Sequence, residues 1–238
     1  ISWTPTYAAC DIDVAQGLED VPPENWLVFE DEAGLCRQLT ERLRGAGHAV
    51  TTVVPGDGFA HIHEDHYCLA PERGREGYDM LLRDLSDQSR LPTRIVHGWS
   101  LTNRESFRPG SSFFHRNLEQ GFYSLFFLAQ AIGEEDLPLH THVLSSGALQ
   151  VRDEDLPHPE KATLIGPTRV IPREFPGVTC AALDLQAAQG KTGLKSRGKA
   201  LGKARSESPL LIPLLEEVLA TPANTIAALR RGKRYALD

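Results

Sequence analysis

Residues 26 to 54 place the tightest constraint on how this chain can fold. A short apolar run, Trp26 to Phe29, is followed by apolar residues at helical spacing, Leu35, Leu39 and Leu43. After Gly45 and Gly47 comes a β-branched run, Val50 to Val54. A strand, a helix and a strand within about thirty residues is the length of a βαβ crossover. Strands joined in that way lie parallel, because the helix has to return the chain to the same end of the sheet.

The alternation continues along the chain. Residues 55–77 are rich in Gly, Pro, His and acids, which predicts an irregular connection. A helix is predicted over Tyr78 to Ser86, with Met80, Leu81, Leu82 and Leu85 as its apolar stripe, and a strand over 94–101. Residues 102–117 read as a polar loop. Residues 118–133 are apolar nearly all round, as expected of a central helix buried between a sheet and another element. A strand follows over 140–149, ending in a Ser-Ser-Gly turn, and then a helix over 158–176 with a break expected at Pro167. One more strand, 178–185, precedes a Gly-, Lys- and Arg-rich stretch, 190–207, which is expected to be a mobile surface loop. Ser208 as N-cap and Pro209 at the first position predict a last helix to Ala220, and the chain closes in a strand and hairpin. The pattern predicts an α/β fold with a mainly parallel sheet flanked by helices on both faces.

Composition narrows the function classes. At 238 residues with 41% apolar and 24% charged residues, the chain suits one globular domain, and its formal charge of -7 argues against a general nucleic-acid binder. No apolar run approaches the roughly 18 to 20 residues of a membrane-spanning helix. No signal peptide is evident, so no membrane partner and a cytoplasmic location are expected. Cys10, Cys36, Cys68 and Cys180 form no CxxC pair and read as reduced thiols. The chain opens on Ile1 rather than Met, which suggests a piece of a longer polypeptide.

Catalytic motifs are sought and not found. A dinucleotide-binding fold leads from its first strand into G-x-G-x-x-G, where glycines let backbone approach a pyrophosphate. Here the stretch is Glu30-Asp31-Glu32-Ala33-Gly34-Leu35, with one glycine and three carboxylates that would repel phosphate. A short-chain reductase needs a Ser after the strand that follows the central helix and a Tyr-x-x-x-Lys about a dozen residues on. Ser145 and Ser146 stand at the right strand end, but His158 and Ala162 occupy the dyad positions. Lys161 is one place out of step, and no tyrosine lies between Tyr123 and Tyr235. His61, His63 and His66 could meet a divalent metal, since His61 and His63 share a face of an extended strand. His140 and His142 alternate likewise. Lys191, Lys195, Arg197, Lys199, Lys203 and Arg205 form a basic stretch that reads either as solvated linker or as a patch for an acidic partner. No G-x-S-x-G elbow or Walker motif appears.

The strings WLVFEDEAGL, GHAVTTVVPG, RIVHGWSL, GFYSLFFLAQAIG, HPEKATLIGPTRVIPREFPGVTC and TIAALRRGKRY, in this order, resemble the N-terminal structural subdomain of ketoreductase regions in bacterial type I modular polyketide synthases. The likeness runs from Trp26 to Tyr235. It implies a truncated, degenerate Rossmann-like (short-chain-reductase-like) fold, with residues 1–25 as a lead-in and 26–238 as the structural subdomain. By the same likeness, ISWTPTY is a strand entering from a preceding domain that pairs near the end of this one. No catalytic, cofactor-binding or metal residue carries over to this chain. The resemblance places NADPH, phosphopantetheine and the Ser, Tyr and Lys chemistry elsewhere in a parent synthase. There a catalytic half reduces carrier-bound β-ketoacyl chains, and this half serves as its scaffold beside neighbouring domains, including the acyl carrier. The rivals are the structural half of a degenerate ketoreductase in a methyltransferase-containing module, a metal-dependent enzyme at His61, His63 and His66, and a module that docks acidic carriers through Lys195, Arg197 and Lys199.

Overall fold

A computed structural model describes residues 2–6, 13–14, 18, 21–102, 112–133, 138–186 and 207–237. The expected crossover is present as β2 (Asn25–Phe29), α1 (Leu35–Gly45) and β3 (Ala49–Pro55). Alternation along β2 sorts its side chains onto two faces. Trp26 and Val28 join the core beneath α1 and α6 (Leu211–Leu219). Leu27 and Phe29 join the core beneath α2 (Glu76–Asp87), α4 (Ser124–Ile132) and α5 (Ile165–Glu174).

One ten-stranded sheet carries both cores. The remaining strands are β1 (Trp3–Thr6), β4 (Ala60–His63), β5 (His66–Leu69), β6 (Arg94–Ser100), β7 (Leu139–Ser146), β8 (Val178–Leu185), β9 (Ile226–Arg230) and β10 (Lys233–Leu237). Their spatial order is β1-β10-β9-β8-β7-β6-β2-β3-β5-β4. The run from β9 to β5 is parallel throughout, and only β1, β10 and β4 pair antiparallel. The strand order reverses between β2 and β6, which makes their carboxyl ends the switch point of a doubly wound sheet. The predicted α/β, Rossmann-like class is therefore the observed one. Trp3 to Thr6 pairs with Leu237 to Arg234, so the N-terminal strand closes against the chain's last one. The β9–β10 hairpin turns through Arg231 (φ 51°) and Gly232 (φ 74°), the left-handed pair of a tight hairpin.

Five local expectations need correction. The irregular stretch 55–77 contains the β4–β5 hairpin, because Tyr67 and Leu69 alternate inward and extend the sheet beside β3. The polar loop 102–117 ends in a helix, α3 (Phe113–Asn117), started by Ser112, whose hydroxyl accepts from the His115 amide at 3.2 Å. Residues 103–111 lie outside the described residues. The central helix opens with a π-turn over Leu118–Tyr123. The break expected at Pro167 falls instead between a 3-10 turn, Pro159–Leu164, and α5. Pro167 then sits in the first turn, where its missing N–H costs nothing. The last helix begins at Leu211 rather than at Pro209, and Ser208 Oγ accepts from the Leu210 amide at 3.3 Å.

Cys36, Cys68 and Cys180 are free thiols, and Cys10 lies outside the described residues. No helix among the described residues is long and apolar enough to cross a membrane.

Candidate functional site

At the switch point, the chain's own Asp31 carboxylate meets the first amides of α1. Asp31 Oδ1 accepts from the Cys36 amide at 2.6 Å, and Oδ2 accepts from the Leu35 amide at 3.2 Å. These are first-turn N–H groups of α1, which would otherwise need an anion or water. The Asp31 carboxylate also pushes the Cys36 thiol pKa up, after burial, the larger cause. Beside it the backbone closes in: a Cβ on Gly98 of β6 would stand 2.4 Å from Cys36 Sγ and 2.7 Å from the Phe29 carbonyl oxygen. Gly34, at φ 85°, makes the turn into the helix and is the loop's sole glycine. A dinucleotide pyrophosphate does not fit the first turn of α1, since the Leu35 and Cys36 amides already bond the Asp31 carboxylate. Replacing Asp31 with alanine should lower unfolding free energy by about 1 to 2 kcal/mol, the usual cost of a lost N-terminal cap. Urea unfolding measures it, and an unchanged midpoint would contradict the capping role.

The serines and lysine singled out from the sequence do meet, but as a buried knot. Ser145 Oγ donates to Asp184 Oδ1 at 2.6 Å. Ser146 Oγ donates to the Thr102 carbonyl at 3.0 Å. Lys161 is 1% exposed, and its Nζ donates to Thr102 Oγ1 (2.6 Å), the Ser146 carbonyl (3.1 Å) and Ser146 Oγ (3.2 Å). Burial pushes its pKa down to about 8, against the opposing fields of Asp184 and Glu160. Asp184 in turn holds Arg230 Nη2 at 2.6 Å and accepts from the amides of Ala148 and Leu149 at 2.9 and 3.3 Å. These groups tie the ends of β6, β7, β8 and β9 together. A reductase would hold its substrate at these same strand ends. His97 and Tyr78 share Ser124 Oγ, each at 2.8 Å, in the core next to this region.

The three histidines of the β4–β5 hairpin do not converge. A register shift between His61 and His63 puts them on opposite faces, so the shared face expected from strand alternation is lost. His61 stacks on Tyr67 at 4.3 Å and pairs with Asp84 at 3.2 Å. His63 faces His66, whose Nδ1 lies 2.7 Å from Thr52 Oγ1. Among the described residues, no group of three His, Cys, Asp or Glu side chains is placed to hold a metal ion. Lys191, Lys195, Arg197, Lys199, Lys203 and Arg205 lie outside the described residues.

The sequence reading also implies a partly exposed, partner-facing apolar surface, and among the described residues exposed aromatic side chains lie on the outer side of the central helix. The central helix buries Leu125, Leu128, Ala129, Ala131 and Ile132 on the sheet, yet Tyr123 and Phe126 remain 45% exposed, Phe114 51% and Val170 of α5 48%. Phe122 stacks on Phe126, and Tyr123 on Phe127, each pair one helical turn apart. Exposed aromatic side chains grouped on one helix side are a common feature of interaction surfaces. The signal was present in FYSLFF, but an all-round apolar helix reads the same whether its outer side meets its own chain or another.

A family model described as beta-ketoacyl synthase-like, N-terminal, matches residues 24–195. Among solved structures, an adenylation, ketoreductase and pseudo Asub multidomain structure of a keto acid-selecting NRPS module aligns with a TM-score of 0.77 at 24% identity. That alignment covers 98% of this chain and 18% of that one. An N-terminal ketoreductase from the macrolactin assembly line aligns with a TM-score of 0.67 at 16% identity, covering 99% and 42%. A short-chain dehydrogenase from Leptospira borgpetersenii with bound NAD+ gives 0.58 at 12%, covering 91% and 95%. The chain thus spans less than half the length of the ketoreductase-containing structures that it matches, and most of the length of a short-chain dehydrogenase. No curated protein sequence matches.

Proposed function

Because this chain belongs to the beta-ketoacyl synthase-like, N-terminal family, we propose that it is the non-catalytic structural half of a polyketide synthase ketoreductase region. Residues 26–238 form that subdomain, residues 1–25 lead into it, and it carries no catalytic, cofactor-binding or metal residue of its own. Its role is to hold a catalytic half that reduces carrier-bound β-ketoacyl chains with NADPH, in a cytoplasmic synthase with an acyl carrier and phosphopantetheine.

The observation that carries this reading is the Asp31 carboxylate seated on the α1 amides where a cofactor phosphate would bind. The Ser146, Thr102 and Lys161 knot supports it, because a buried lysine bonded to hydroxyl and carbonyl oxygens, with no tyrosine beside it in sequence, has no proton relay to serve. The exposed Phe114, Tyr123, Phe126 and Val170 supply the docking surface for the other half. Burying one such aromatic contributes about 1.5 to 3 kcal/mol.

Calorimetric titration of the chain with NADPH should give no binding. Adding the catalytic half of the same region should restore both binding and β-ketoacyl reduction, and Phe126→Glu should weaken the association of the halves at least tenfold. Micromolar NADPH binding by the chain alone would overturn the proposal.

A further inference from the structure

The π-turn Leu118–Tyr123 joins α3 to α4 without a break, so Phe113 to Ile132 winds as one helix. In a regular α-helix each residue turns by about 100°. Phe114 would then stand about 180° from Tyr123 and about 120° from Phe126, on another side of the helix. A π-turn takes one residue more than an α-turn, which sets every later residue back by about 100°. Phe114 thereby comes within about 20° of Phe126 and about 80° of Tyr123, so the three aromatics share one side.

Burial follows the same phase. Asn117 and Leu125 would stand about 80° apart without the extra residue and stand about 20° apart with it, and both are buried. For Arg116 and Leu128 the change is from about 120° to about 20°, and both are again buried. The wide turn is held at two points. Asn117 Nδ2 donates to Glu160 Oε1 at 3.0 Å, and Gly121 lies so close to β6 that a Cβ there would stand 3.1 Å from Ser100 Oγ. Phe114 is half exposed and, among the described residues, joins none of the buried apolar clusters. Its alignment with Tyr123 and Phe126 therefore serves no packing within these clusters.

We propose that the π-turn is a positioning device that brings Phe114 into line with Tyr123 and Phe126, which lengthens the docking surface to a stripe of about 18 Å. Val170 of α5 is the exposed apolar side chain on the neighbouring helix. The catalytic half meets this stripe with an apolar surface of matching length, and Phe114 is one of its anchors. This rests on the docking role proposed above for Tyr123 and Phe126.

Calorimetric titration with the catalytic half of the same region tests it. Phe114→Ala should weaken the association about tenfold, the loss expected on truncating one interface aromatic, with the urea midpoint of the chain unchanged. Deleting Glu119 should return the turn to a plain α-helix, swing Phe114 out of line and weaken the association by at least as much. Phe114→Ala should then change nothing further in the deletion variant. Unchanged affinity for Phe114→Ala, or full additivity of the two changes, would overturn the proposal. If the deletion variant does not fold, Phe114→Ala decides alone, because that side chain lies outside the buried clusters. The docking role itself fails separately, by Phe126→Glu leaving the association unchanged as well.

Discussion

Replacing Lys161 with alanine should lower the unfolding free energy by about 3 to 5 kcal/mol, the largest loss expected from any single substitution near the strand ends. The four-carbon stem fills core space, and the ammonium satisfies Thr102 Oγ1, the Ser146 carbonyl and Ser146 Oγ. Alanine leaves a cavity and buried oxygens with fewer partners. A pH profile separates this role from packing alone. The folded-state pKa is depressed, from 10.5 to about 8, so the folded state releases its proton more readily than the unfolded one. Stability therefore rises with pH as the unfolded lysine approaches its own pKa. Between pH 7 and pH 9.5 the expected gain is about 2 kcal/mol. Lys161→Met should keep most of the volume and lose that gain. Equal slopes for the parent chain and Lys161→Met in urea unfolding across this range would refute the account. Above pH 10 the trend reverses, because Tyr67, pushed up to about 12 by burial and its bond to Asp84, ionises more easily unfolded.

Acid should unfold this chain unusually early. His97 has no exposed surface, and burial pushes its pKa down to about 3, while His140 is pushed down to about 4. Both folded values lie below the unfolded 6.5. Their contribution to stability is thus complete above about pH 6.5 and is lost as pH falls toward 4 and then 3. From pH 7 to pH 5 each costs about 2 kcal/mol, so the pair removes about 4 kcal/mol, a large share of a typical domain's stability. His142, lowered for the same first cause, acts in the same direction. Urea midpoints at the two pH values measure the loss, and His97→Gln should show about half of it. A midpoint that stays constant from pH 7 to pH 5 would mean that these rings are hydrated in the folded state.

Which features of this fold are legible along the chain depends on the physical signal that each residue carries. The β2–α1–β3 crossover was legible because two periodicities, alternate and helical, change over within thirty residues, and local pattern is enough to fix them. Asp31 was legible in kind, as an acid near a helix start, but not in place. Only the turn through Gly34 shows that this acid, rather than Glu30 or Glu32, accepts the α1 amides. Lys161 stands one place out of step in the linear count. The 3-10 turn at Pro159–Leu164 nonetheless brings it to Ser146, fifteen residues away, one short of the spacing that a reductase dyad requires. His61 and His63 went the other way, since alternation assumes a regular strand and the hairpin has a register shift between them.

The sequence by itself determined the α/β class, the parallel core and the lack of a reductase motif, because these rest on periodicity and on residue identity. The tertiary structure alone decided that Asp31 bonds the first amides of α1, that Lys161 is buried against Thr102 and Ser146, and that Tyr123 and Phe126 stay half-exposed among the described residues. Each of those depends on which distant segments share a space, and burial, not order along the chain, sets whether a charge acts as a cap, an anchor or a reactive group.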